Sequence, residues 1–264
     1  MFSSLKKLHT DKENVFAYWQ RSADRMIKDG DFARLRDTMI FDHTWYITVR
    51  AFIEQGQIKN GDRILDAGCG WGRVISGLKF FQPETTVIGV DANLVRLSAG
   101  KKILADLGLD KRVVLEVADV DYLGFADGAF DAVVCARLLQ YVPNPEHSVR
   151  ELCRVLKPGG RLVLTVPNKL NPIRLCTYTR KLYSAGGVKK WLLMNGLDDV
   201  SSRTIGFLPN SRRVEWKSRW LVVENAQRIP LLRHLGGLVL ASGRKPEKHF
   251  VSRATPVSSL VTEK

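Results

Sequence analysis

Residues Ile64 to Arg73 read Ile-Leu-Asp-Ala-Gly-Cys-Gly-Trp-Gly-Arg: an apolar run ends in an acid and passes into three alternating glycines. A segment of this kind commits the chain to a buried strand, a sharp turn and a helix, in that order. The strand delivers Asp66 to its carboxyl end, and Gly68, Gly70 and Gly72 let the backbone turn and approach a ligand with no Cβ in the way. Helical residues Val74 to Phe81 follow, and then an apolar strand, Thr86 to Val90. Asp91 closes that strand, where a carboxylate can accept hydrogen bonds from both hydroxyls of a ribose.

A dinucleotide fingerprint also joins a glycine turn to an acid one strand later, so nicotinamide binding has to be weighed. That fingerprint calls for glycine three residues after its second one, and Arg73 stands there instead; nor does it place an acid just before the turn. A carboxylate at Asp66 would repel a pyrophosphate, whereas it suits a ligand bearing an ammonium and a sulfonium. The spacing therefore favours S-adenosylmethionine over NAD.

Four segments, in order, carry a resemblance to a known family: Leu65 to Gly72, Val87 to Asp91, Ala118-Asp119-Val120, and Arg154 to Leu162 with its Lys157-Pro158-Gly159-Gly160. The chain from Ile64 to Asn168 resembles the class I S-adenosylmethionine-dependent methyltransferases, in particular the small-molecule branch with the ubiquinone and menaquinone enzymes. The resemblance implies that Asp66, Gly68, Cys69, Gly70 and Gly72 hold the methionine part, Asp91 and Ala92 the ribose, and Asp119 and Val120 the adenine, with Arg137 also on the cofactor side. Tyr18 and Trp19 would close over the methionine part as cap aromatics do in similar enzymes, although a core stripe accounts for Trp19 equally well. Taken singly, each motif has a plainer reading. A glycine turn can merely tighten a link, and Asp119 can cap a helix. Asp131 reads as structural, at the opening of a strand after the Ala126-Asp127-Gly128 turn.

The rest of the chain fits an α/β fold with a doubly wound, mostly parallel sheet of seven strands. Short apolar strands are expected at Ile64–Asp66, Thr86–Val90, Val113–Val117, Ala132–Ala136 and Arg161–Val166, separated by helices. Leu156 to Gly160 reads as the turn into the fifth. Phe16–Met26 and Phe32–Gln55 show helical spacing, so residues 1–58 form an N-terminal helical cap and 59–168 the cofactor-binding core. Residues 169–202 read as a helical insertion over the acceptor pocket. Residues 203–246 complete the sheet, with strands at Arg203–Leu208 and Gly237–Ser242 around a helix at Val214–Ile229; 247–264 read as a mobile tail.

A chain of 264 residues, 45% of them hydrophobic, can bury a sizeable core. It shows no apolar run long enough to span a bilayer and no secretory stretch at its start, so a cytoplasmic protein is expected. Cys69, Cys135, Cys153 and Cys176 lack paired metal spacing and read as reduced thiols. The net charge of +14 is dispersed. A solvated face is one reading; peripheral contact with a membrane, or an anionic or lipid-linked acceptor, is the sharper one.

Methyl transfer from a sulfonium is an in-line displacement, and an amine or phenolate acceptor needs no strong base. Gln140 and Tyr141 occupy the place where relatives resemble Asn/His-His, which leaves His43, between Asp42 and Trp45-Tyr46, as candidate base; packing is its plainer role. His147 reads as solvated. O-methylation of a small molecule is the expected activity, with transfer to nitrogen or carbon as alternatives. Nucleic-acid methylation is disfavoured, because Ala136 to Tyr141 lacks the Asn/Asp-Pro-Pro-aromatic pattern and no RNA-binding module is attached. A cofactor-binding protein without catalysis is the reading from another class.

Overall fold

The computed structural model describes residues 43–172, 181–206, 229–230 and 232–247. Seven strands make one sheet: β1 Arg63–Ala67, β2 Thr86–Asp91, β3 Val113–Val117, β4 Phe130–Ala136, β5 Leu156–Pro167, β6 Asp198–Ile205 and β7 Leu238–Arg244. Their order is β3-β2-β1-β4-β5-β7-β6. The strands from β3 to β5 run parallel and β7 runs antiparallel to both its neighbours. The chain crosses from β1 to β2 on one side and returns to β4 on the other, so a crevice opens at the carboxyl end of β1.

The helices are α1 His43–Gly56, α2 Arg73–Phe81, α3 Leu94–Asp106, α4 Pro145–Val155 and α5 Ala185–Met194. They cover both faces of the sheet, which is why the central strands read as nearly continuous apolar runs. Leu65, Val133, Cys135 and Leu164 pack with Val149 and Leu152 of α4 and Val188 and Leu192 of α5. Ile64, Val87, Val134 and Val163 pack with Phe52 of α1, Ile75 and Leu78 of α2 and Leu104 of α3. Asn93, Asn144 and Ser184 cap α3, α4 and α5, each accepting a backbone amide three residues on. Asp131 is tied to the Arg63 amide at 2.9 Å and to Lys157 Nζ at 2.6 Å, a link between neighbouring strands.

The expected turn at Leu156 to Gly160 is instead the opening of β5. Leu156 is already extended and pairs with Phe130, and the register shifts before Ala132. Gly159 adopts φ +80°, which lets its amide reach Lys245 O at 2.7 Å while the Lys245 amide reaches Gly160 O at 2.9 Å. The last two strands also differ from expectation. β6 begins at Asp198, inside the stretch assigned to the insertion, and β7 continues to Arg244. Asp-Asp-Val-Ser-Ser-Arg hides a strand because its residues are poor strand formers; pairing along β7 supplies what propensity lacks. Of the cap, residues from His43 are described. Residues 16–42, and 214–228 of the proposed last helix, lie outside the described residues, as do Cys176 and the tail beyond 247. Cys69, Cys135 and Cys153 are free and buried. No helix among the described residues is long and apolar enough to cross a membrane.

Lys245 follows β7 and crosses back to the end of α4, where its ammonium donates to Cys153 O at 2.8 Å, Arg154 O at 3.1 Å and Leu156 O at 2.7 Å. The first two carbonyls belong to the last turn of α4 and the third to its extended cap residue; of these Arg154 O also takes the Gly128 amide at 3.0 Å. Lys245→Met should therefore lower unfolding stability by about 1–3 kcal/mol, the worth of charged hydrogen bonds. Urea denaturation checks this, and an unchanged midpoint would remove Lys245 as the clasp.

Candidate active site

β1 lies between β2 and β4, so its last residues are screened from water on every side. Asp66 is fully buried, and neither carboxylate oxygen has a hydrogen-bond partner in the protein. Burial first, and the charge of Asp91 second, push its carboxyl up to about 8. A buried acid in this state is poised for a cation.

The turn beyond it is built by the glycines. Gly68, Gly70 and Gly72 have φ of +75°, +54° and +78°, the left-handed region that side chains resist. The Gly68 and Cys69 amides both donate to Val90 O, at 2.8 and 3.0 Å, joining the turn to β2. The Gly70 amide donates to Asp91 Oδ2 at 2.9 Å, and the Asn93 amide to Asp91 Oδ1 at 2.9 Å. Beyond these amides each Asp91 oxygen has a second lone pair, and the Arg96 guanidinium stands 3.7 Å from Oδ2. Ala92, next to it, is exposed at the lip. The Cys69 side chain turns to the core. The Cys69 carbonyl receives the Gly72 amide at 2.9 Å, and the thiol packs toward Gly89, with burial raising its pKa. Cys69 shapes the turn from the core side.

Asp119 is half-buried after β3, and its side chain accepts the Asp121 amide at 3.1 Å in a local turn; Val120 is buried beside it. This loop is fastened to α4 at several points. Ser148 Oγ donates to Asp121 Oδ1 at 2.5 Å, and His147 Nε2 lies 2.9 Å from Asp121 O. Glu151 accepts the Leu123 amide, while Arg154 donates to Leu123 O and Phe125 O. His147 is thus half-buried at a loop contact, a correction to its reading as a solvated residue.

The remaining candidates, Arg137 expected on the cofactor side and Gln140 and Tyr141 expected at the acceptor, lie after β4. Arg137, exposed with φ +53°, donates its amide to Thr165 O at 2.8 Å. Leu138 covers Gly68, where a Cβ would approach it to 2.9 Å. Gln140 is buried and Tyr141 half-buried. His43 is the first residue of α1, but its side chain lies outside the described part, as do Tyr18 and Trp19. The aromatics beside His43 pack structurally. Trp45 is buried and donates Nε1–H to Arg73 O at 2.7 Å, and Tyr46 meets Phe81 edge-on at 6.0 Å. One crevice residue escaped sequence reasoning. Arg96, in the first turn of α3, lies 3.7 Å from Asp91; its place two residues beyond the Asn93-Leu94 helix start was the available signal.

A crevice with a buried acid, a left-handed glycine turn and a second acid at the next strand end fits a cationic sulfonium nucleoside. The comparisons agree. Residues 58–202 match the family described as "Methyltransferase domain". The ubiquinone/menaquinone biosynthesis C-methyltransferase UbiE of Pseudomonas aeruginosa strain LESB58 is 30% identical over 203 residues, covering 75% of this chain and 78% of that one. Its counterpart in Pseudomonas savastanoi pv. phaseolicola is 38% identical over 169 residues, covering 62% and 63%. In structure, phosphoethanolamine N-methyltransferase 2 of Haemonchus contortus, in complex with S-adenosyl-L-methionine, superposes with a TM-score of 0.60 at 17% identity, covering 77% of this chain and 53% of that one.

The chain belongs to the class I S-adenosylmethionine-dependent methyltransferases. It is an enzyme of the small-molecule type, related to UbiE, with S-adenosylmethionine as its cofactor.

Two predictions follow from the acids. In the ligand-free fold, Asp66 keeps a proton that the unfolded chain releases at 3.8. Its contribution to stability is full below that value and is lost as pH rises through about 8. A bound cation favours the carboxylate, so cofactor binding should release a proton and tighten from pH 6 to 7.5. Calorimetry in two buffers of different ionisation heat measures this; affinity independent of pH, with no proton released, would refute it. Asp91→Asn should weaken cofactor binding by roughly 1.5–3 kcal/mol, and equilibrium titration at wild-type affinity would displace the ribose from Asp91.

Proposed function

We propose that the protein methylates a small molecule that reaches the site already nucleophilic, a phenol, quinol or enol in its ionised form, with oxygen as the methylated atom. One observation carries this reading: the chemistry of loop 137–144. It offers the exposed Arg137 guanidinium, the buried Gln140 amide and the Tyr141 phenol, with no histidine or carboxylate in the loop. Lys181 adds an ammonium at its end, donating to Val142 O and Pro143 O. Such a lining steadies an anion and leaves an aliphatic alcohol without a base.

When bound, S-adenosylmethionine supplies an electrophilic methyl whose transfer turns a sulfonium into a neutral thioether. Asp66, Asp91 and Asp119 orient the donor in this reading, and Leu138 over Gly68 excludes water between donor and acceptor. For a phenol or quinol that arrives still protonated, His43 at the start of α1 is the proposed base; an aliphatic alcohol is too weak an acid for an imidazole to ionise.

A second reading, methylation at carbon, is favoured by the UbiE relatives, whose name specifies C-methylation. An ionised phenol is nucleophilic at both its oxygen and its ring carbon, so both readings share one acceptor class. The net charge of +14 favours anionic or lipid-linked members of that class.

The test is turnover with methyl-labelled cofactor on phenols, quinols with and without an apolar tail, and aliphatic alcohols. Phenols and quinols should be methylated and alcohols left untouched. NMR then distinguishes methoxy from ring-methyl products. Alcohols turned over as fast as phenols would overturn the proposal.

A further inference from the structure

Arg96 sits one turn from the strand end that carries Asp91, with its amide donating to the cap residue Asn93 at 2.9 Å. α3 approaches the glycine turn closely there, since a Cβ on Gly100 would stand 2.9 Å from the Trp71 backbone. The short strand-to-helix link and this contact together turn the Arg96 side chain back across the crevice. Its guanidinium meets several surfaces among the described residues. It lies 3.7 Å from Asp91 Oδ2, the oxygen that also takes the Gly70 amide. It lies 5.5 Å from the centroid of the Trp71 ring. It also covers Gly70, where a Cβ would come within 2.6 Å of the guanidinium carbon.

A ribose hydroxyl approaching Asp91 Oδ2 meets that guanidinium. We propose that Arg96 is a displaceable occupant of the cofactor crevice: it balances the charge of Asp91 in the ligand-free protein and gives way when the ribose binds. The inference rests on the ribose standing at Asp91. A side chain in this position lowers affinity for donor and spent product alike, because either must break the Arg96–Asp91 pair before its hydroxyls are received. It also offsets the repulsion between two nearby acids, since the charge of Asp91 bears directly on Asp66. The benefit to turnover is release of the spent nucleoside, whose nucleoside part is the same as the donor's.

The experiment is titration of the full chain with S-adenosylhomocysteine, in the wild type, Arg96→Met, Arg96→Gln, Asp91→Asn and the Arg96→Met/Asp91→Asn pair. Arg96→Gln serves if Arg96→Met does not fold, with thermal unfolding of each ligand-free variant as the control. Removing the guanidinium should tighten binding about three- to tenfold, and the gain should vanish in the Asp91→Asn background. Weaker binding would make Arg96 a ligand contact, and unchanged affinity would make it a bystander; either overturns the proposal, as does a gain that survives without Asp91. Wild-type affinity in Asp91→Asn would instead remove the ribose placement beneath it. Weakened Asp91→Asn with unchanged Arg96→Met would sink the Arg96 proposal alone.

Discussion

A carboxyl group enclosed by strands, with neither oxygen hydrogen-bonded, is among the more expensive things a fold can hold, and Asp66 is held that way at the centre of the sheet. Much of the site is arranged around it. β2 and β4 flank β1 and exclude water, and the backbone leaves Asp66 at once through a left-handed glycine. The turn is then secured twice to the end of β2, by Val90 O and by the carboxylate of Asp91. Trp45 ties α1 to the residue that follows the turn. The second acid therefore shapes the loop, taking the Gly70 amide on one oxygen and the Asn93 amide on the other, so any ligand proposed at Asp91 would meet a carboxylate already committed to loop geometry.

The two ends of the crevice are joined mechanically through α4. Its first turn begins right after the acceptor-side loop, capped by Asn144. Its outer face then fastens the loop carrying Asp119, through His147, Ser148, Glu151 and Arg154 in succession. Those positions follow helical spacing, so one face of one helix serves the whole loop. Tyr183 reaches Leu139 O at 2.9 Å from the far side of the acceptor loop. The loop after β4 and the loop after β3 thus share one support, and under the proposed function that support would hold donor and acceptor in line.

The central parallel strands were legible because burial on both faces leaves apolar runs, and the acids that end β1 and β2 because they follow a fixed spacing. β6 was illegible at its start for the opposite reason. It is the edge strand, half exposed, and its Asp and Ser residues read as loop until β7 pairs with them. The opening of β5 was masked by Pro158 and two glycines, which mark a turn in isolation and a bulged strand beside Lys245. Arg96 went unremarked because an arginine near a helix start ordinarily reads as solvated; only the close approach of α3 to Trp71 turns it inward. The thiol of Cys69 shows the converse, where a residue inside the motif faces the core. Acceptor identity depends on packing between distant segments, which periodicity does not encode.

The position of β7 has a consequence for how the chain acquires this shape. β7 is the last of the described strands in sequence, yet it lies between β5 and β6, pairing with both. During synthesis from the amino end, β5 and β6 emerge with a gap the width of one strand between them, and neither can satisfy the other's backbone. Until residues 238–244 leave the ribosome, both present open edges. Vectorial synthesis thus leaves the sheet open for the time taken to translate about 39 residues after Ile205, on the order of 2–8 s at 5–20 residues per second. Closure of the sheet is a late event, and the nascent chain is most exposed to misassociation just before it.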